Sequence, residues 1–157
     1  MKPKPIVKQL LKNSFAGIEA IACGNQFAFT DTHRLLVLND NLGYQVDSSR
    51  SLDVKRIIEK ANESTHIVEI DIGYLTWYIS GLTKVTKYDR FFPYFIGTID
   101  GSKVFVEGKW LLKLLKLMDT NVILVGDLKT SYIRINGNNG EFAITAPLNL
   151  GGNYGNS

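Results

Sequence analysis

One cysteine, two histidines and no apolar run long enough to cross a bilayer are the first things to notice about this chain. Each scarcity excludes a class of function. With Cys23 alone, no intrachain disulfide and no cysteine-based zinc cluster can form. His33 and His66 lie far apart, without the spacing of metal ligands, so neither a metal nor a cofactor is expected. The opening stretch MKPKPIVKQLLKN is interrupted by Lys8, Gln9 and Lys12 and lacks the continuous apolar core of a signal peptide. No later segment suits a membrane span. The expectation is a cytoplasmic protein with no membrane partner. Extreme charge is also missing. The net charge is +3, with 45% hydrophobic and 21% charged residues, values of an ordinary folded domain and well short of a histone-like binder. Where the charges lie therefore matters more than their sum.

The pattern of apolar residues predicts an α+β fold. Ile6, Val7, Leu10 and Leu11 recur at helical spacing over Pro5 to Asn13, with Pro5 in the first turn, where its missing N–H is harmless. Strands are expected at Ile18 to Ala22, Gln26 to Thr30, Leu35 to Leu38 and Tyr44 to Asp47. Ser51 to Asn62 reads as a second helix with Ser51 as its cap and Leu52, Ile57, Ile58 and Ala61 on one side. Three further strands are expected at His66 to Ile72, Thr76 to Ser80 and Leu82 to Lys87, because β-branched and aromatic residues crowd there. Asp100-Gly101 closes the next apolar stretch. A strand at Lys103 to Val106 then leads into a leucine-rich helix at Lys109 to Met118. Val122 to Val125, Ser131 to Ile135 and Glu141 to Ala146 complete the strands, the last two separated by the turn-forming Asn136 to Gly140. Helix followed by strands thus recurs three times, a repeat of elements of roughly forty to fifty residues. The corresponding organisation is residues 1–98 as two half units, 99–150 as a third, and 151–157 as a tail.

The three expected helices share a charge pattern. Lys4, Lys8 and Lys12 are four apart and stack on one face, and Lys109, Lys113 and Lys116 form a second stripe opposite the leucines. Lys55, Arg56 and Lys60 make a weaker third set, diluted by Asp53, Glu59 and Glu63. A single lysine face on an amphipathic helix is ordinary solvation. Three such faces turned the same way would form a surface for phosphates, with no code for bases.

Between two apolar runs sits the polar knot Thr30-Asp31-Thr32-His33-Arg34. Asp31 and His33 suggest an acid–base pair for a small hydrolase, yet no nucleophile, metal or second carboxylate cluster accompanies them. The structural alternative is that Asp31 bonds its own backbone in a turn.

Thr30-Asp31-Thr32-His33-Arg34-Leu35 resembles the Thr-Asp-Gly-His-Arg-Leu signature of the bacterial DNA polymerase III β subunit, the sliding-clamp family. KYDRFFPYFIGT, residues 87–98, resembles the clamp's connection from its middle to its last domain, with Tyr94 where the family has aspartate. Residues 103–150, with KWLLKLLKLM and FAITAPLNL, resemble its final half-domain. The resemblance implies helix-plus-antiparallel-strand half units in the DNA clamp fold. Basic helix faces would line duplex DNA without reading its sequence, and the chain would serve as a non-catalytic processivity factor or replication accessory. It also implies a groove for clamp-binding peptides of polymerase or repair proteins. Thr30, Thr32, His33, Arg34 and Leu35 would form one side, with Pro93 in the connection and Ile144, Ala146, Pro147 and Leu148 on the other. A chain of three half units would need four copies, a homo-oligomeric ring, to supply the family's twelve helices. The alternative within the same resemblance is a regulator that binds replication partners without encircling DNA.

Overall fold

The computed structural model describes residues 2–12, 20–85 and 92–148, with the backbone alone for 82–85. The starts expected at Ile18 and Glu19, the end of the strand expected at Leu82 to Lys87, residues 87–91 of the connection and residues 149–157 lie outside the described residues.

The chain begins with helix α1 (Pro3–Lys12) and runs through strands β1 (Ala20–Cys23), β2 (Gln26–Thr30), β3 (Arg34–Leu38) and the two-residue β4 (Val46–Asp47). Helix α2 (Ser51–Ala61), strand β5 (His66–Glu69) and helix α3 (Ile72–Val85) follow, then the hairpin β6 (Pro93–Ile99) and β7 (Ser102–Glu107). Helix α4 (Gly108–Met118) leads into β8 (Val122–Val125), β9 (Ile133–Asn136) and β10 (Phe142–Thr145). Eight strands make one sheet in the order β4-β1-β2-β3-β10-β9-β8-β5, and β6 pairs with β7 separately. The protein is α+β, as expected.

Alternation along the strands assigns each side chain to a face. Ala20, Phe29, Leu36, Leu38, Ile123, Ile133, Ile135 and Ala143 join α1, α4, Leu75 of α3 and the hairpin's Val104 and Val106 in the larger core. Ile21, Ala28, Leu35, Val37, Phe142 and Ile144 point the other way and are covered by Val54 and Ala61 of α2. The sheet is therefore a middle layer, with α1, α3 and α4 on one side and α2 on the other.

The join at the centre is the antiparallel ladder Leu35↔Ile144, Leu36↔Ala143 and Val37↔Phe142. It sets α1–β1–β2–β3 against α4–β8–β9–β10, so two units of like element order meet about an approximate two-fold normal to the sheet. These two correspond to the first and the last of the three helix-and-strand units expected. Sequence between them does not repeat: Thr76 to Ser80 and Leu82 to Val85, read as strands, belong to α3. Ile72, Leu75 and Ile79 fall at helical spacing and pack on the larger core, and that burial outweighs the β-propensity of their neighbours. The boundary expected after residue 98 falls inside β6, and strands from both sides of it share the eight-stranded sheet.

Two details of α2 also differ. Ser51 Oγ donates to the carbonyl of Ala22 at 2.6 Å, which ties the helix to β1, and makes no side-chain cap; Arg50 is the capping position. Leu52 is exposed, and Val54 takes its place on the buried side.

Thr32 has φ 81°, the left-handed region that glycine occupies without cost and a β-branched residue does not. Such a residue stores about 1–3 kcal/mol of strain. Thr32→Gly is expected to raise stability by about 1 kcal/mol after the added chain entropy of glycine, a rise of ~2–4 °C in melting temperature. Differential scanning calorimetry measures this, and an unchanged or lower melting temperature contradicts the assignment of strain.

Candidate functional site

The polar knot closes the β2–β3 hairpin. Asp31 is 3% exposed, which a carboxylate tolerates only when fully bonded. One oxygen, Oδ1, accepts from the backbone N–H of His33 at 3.0 Å and of Arg34 at 2.8 Å. The other, Oδ2, accepts from Arg34 Nε at 3.0 Å and Nη2 at 2.8 Å, a two-pronged ion pair. Thr30 Oγ1 donates to the carbonyl of Arg34 at 2.7 Å and accepts from the N–H of Thr32 at 3.2 Å. Both Asp31 oxygens are thus committed to the turn and to Arg34. The imidazole of His33 is on the exposed side of the turn, and the geometry contains no Asp31–His33 side-chain pair.

The guanidinium that Asp31 orients lies 4.7 Å from the ring centroid of Trp110 on α4. Lys113 Nζ is 5.1 Å from the same ring and also donates to Gln9 Oε1 of α1 at 2.7 Å. A hairpin turn and two helices are linked through one indole. Glu107 fixes the start of α4. It is buried, and its carboxylate accepts from the N–H groups of Phe92, Lys109 and Trp110, which joins the beginning of β6 to the first turn of the helix. Neither Trp110 nor Glu107 stands out in the sequence. The only available signal was an acid just before a run of apolar and basic residues.

The residues expected to form a peptide groove are partly brought together. Ala146 N–H donates to the His33 carbonyl at 2.9 Å, and Leu148 N–H donates to the carbonyl of Phe105 in β7 at 2.9 Å. The segment Ala146-Pro147-Leu148, half-buried throughout, therefore runs from the Thr30–Arg34 turn to the β6–β7 hairpin. Exposed Thr32 and His33 stand at its start. Leu35 and Ile144, at 2% and 1% exposure, are core residues beneath α2. They cannot be the floor of an open groove, because strand alternation sends them to the covered face. Pro93 is half-buried in β6, opposite Glu107, and its carbonyl accepts from the Tyr78 hydroxyl.

The basic residues divide between the two faces of the sheet. Lys4, Lys8 and Lys12 on α1 and Lys116 on α4 are exposed, and Lys109 and Lys113 are half-buried, with the Lys109 ammonium 4.6 Å from the Phe92 ring centroid. These six share a side of the molecule, and neither helix contains an acid. Lys55, Arg56 and Lys60 are exposed on α2, across the sheet, where Arg56 approaches Asp53 at 3.9 Å. The expectation of three basic faces turned one way is corrected to two, for α2 covers the opposite layer.

Next to this face, the start of α3 and the end of α4 border an open cleft of about 520 Å³ lined by Ile72, Leu115, Lys116, Asp119, Thr120 and Asn121. Among the described residues no cluster of histidine, cysteine, aspartate or glutamate could hold a metal, and no helix is long and apolar enough to cross a membrane.

Comparison of this chain with protein-family models, curated proteins and solved structures returns no match.

Asp31→Ala strands Arg34 and two turn amides, so it is expected to lower the free energy of unfolding by about 3 kcal/mol. His33→Ala, on the exposed side of the same turn, should stay within about 0.5 kcal/mol of the parent. Urea denaturation of both variants tests the point. Equal losses would mean that the carboxylate does not hold the turn.

Proposed function

We propose that the chain is a non-catalytic, sliding-clamp-like accessory of DNA replication that meets duplex DNA through the α1 and α4 face. The observation that carries this reading is the pairing of two adjacent helices with six lysines and no acid. Ammonium groups gathered on neighbouring helices attract phosphates, and the flexible lysine stem gives contact without base readout. The resemblance of Thr30 to Leu35 and of residues 103–150 to the clamp family supports duplex DNA as the polyanion and the DNA clamp fold as the frame. The two like units meeting at β3 and β10 accord with a fold built from half units. Formation of a homo-oligomeric ring belongs to this proposal. Mass in solution, measured with and without duplex DNA, separates a ring from a lone subunit.

The juxtaposition of Thr32 and His33 with Ala146, Pro147 and Leu148 supports a partner-peptide site at that edge, shallower than a groove floored by Leu35. Such a site suits an extended peptide with one apolar anchor. It also serves a regulator that binds replication proteins without encircling DNA. That second reading is favoured if the protein stays monomeric at high concentration and shows no salt-sensitive DNA binding.

Replacing Lys4, Lys8, Lys12 and Lys116 together with glutamate should abolish measurable duplex binding at moderate salt. In the parent, each phosphate contact should contribute about −0.9 to the slope of log K against log salt. Replacing Lys55, Arg56 and Lys60 should leave affinity nearly unchanged, because α2 occupies the other face. Titrations by fluorescence anisotropy at several salt concentrations decide between the faces. If only the α2 variant binds more weakly, DNA contact lies on the wrong side for this proposal.

A further inference from the structure

Helix α3 and strand β6 carry an aromatic face that the DNA reading does not use. Tyr74 and Trp77 are 51% and 67% exposed, large apolar surfaces left toward solvent. Their ring centroids are 5.7 Å apart, and Tyr94 of β6 stands 6.3 Å from Tyr74 and 5.9 Å from Tyr78. Tyr78 is nearly parallel to Tyr74, with an interplanar angle of 18°. At the edge of this group, Asp71 accepts the N–H of Tyr74 on Oδ1 at 3.0 Å, and its Oδ2 has no partner among the described residues. The Tyr94 phenol is pushed above its ordinary pKa by burial first, then by Tyr74 and the Asp71 carboxylate. That carboxylate is thus within electrostatic reach of the rings.

We propose that this face is a docking surface for an arginine presented by a basic segment of a partner protein. The chemistry is complementary on two counts. Aromatic faces present negative π density, to which a cation is drawn, and a planar guanidinium stacks on them with little loss of hydration. A carboxylate beside the rings then receives the N–H fork in the plane of the same group. The molecule uses this combination internally, where Arg34 is held by the Asp31 carboxylate and lies over the Trp110 ring. Asp71 with Tyr74, Trp77 and Tyr94 offers the same two components on the surface, and no described lysine or arginine lies over those three rings. A nucleobase or phosphate partner is disfavoured by the carboxylate, and a purely apolar one leaves it desolvated without a counter-charge.

The test uses the full chain without DNA and a short blocked peptide containing two arginines, followed through the Trp77 indole N–H resonance, which is identified by its loss in Trp77→Phe. Saturable shifts are expected. The same peptide with citrulline for arginine, uncharged and nearly isosteric, should bind about 10-fold more weakly. Asp71→Asn should weaken the arginine peptide by ~3-fold. Trp77→Ala, at an exposed position that leaves the core intact by circular dichroism, should abolish the response read at Tyr74. Equal binding of the citrulline peptide, or no effect of Asp71→Asn, overturns the proposal. So does a stronger response to single-stranded oligothymidylate. A concentration-dependent rise in mass removed by Trp77→Ala likewise overturns it, by assigning the face to a second copy of the chain.

Discussion

The β3–β10 ladder is the contact on which the arrangement rests. Four residue pairs, from Arg34↔Thr145 to Val37↔Phe142, turn two three-stranded units into one continuous layer. That pairing brings α1 beside α4 on one side and makes the floor for α2 on the other. It also puts the Thr30–Arg34 turn beside Ala146, so the expected binding edge is a direct product of strand pairing. Isolated hairpins are marginal in water, and either unit alone would leave a row of backbone groups unpaired at its central edge.

Around this ladder the polar residues lock elements to each other. Asp31 spends one oxygen on the turn amides and the other on Arg34, and Arg34 reaches Trp110. Glu107 does the comparable task at the foot of α4, with three amides from two separate segments. Both carboxylates are buried, and both are bonded through each oxygen. The acid, the imidazole and the guanidinium that crowd this bend have different roles. The acid and the guanidinium build the junction, and the imidazole is left on its outer side.

Much of the layout was legible in the sequence because period and turn chemistry agreed locally. α1 and α4 follow from leucine and lysine spacing, and β1 to β3 and β8 to β10 from alternation bounded by turn residues. Asp31 as a turn acceptor was also readable. α3 was not, because Thr76, Trp77, Tyr78 and Ile79 favour strands when considered singly and form a helix only through the packing of Ile72, Leu75 and Ile79. The side of the sheet on which each helix lies is a property of long-range pairing. No local pattern reveals that Lys55, Arg56 and Lys60 face away from the α1 and α4 lysines, or that Leu35 lies under α2. The aromatic face of Tyr74 and Trp77 was hidden by the same error, since strand alternation would have separated residues that a helix gathers.

The partners that finish the central ladder are remote in the chain: Asn39 N–H and the Glu141 carboxylate that receives it are 102 residues apart. During synthesis the apolar strand Leu35–Leu38 must therefore wait, with one edge bare, until Phe142–Thr145 has left the ribosome. Non-local closure of this kind slows folding and leaves a sticky template exposed meanwhile. For this chain, crowding by other nascent copies is a greater hazard before that partner strand emerges than after it.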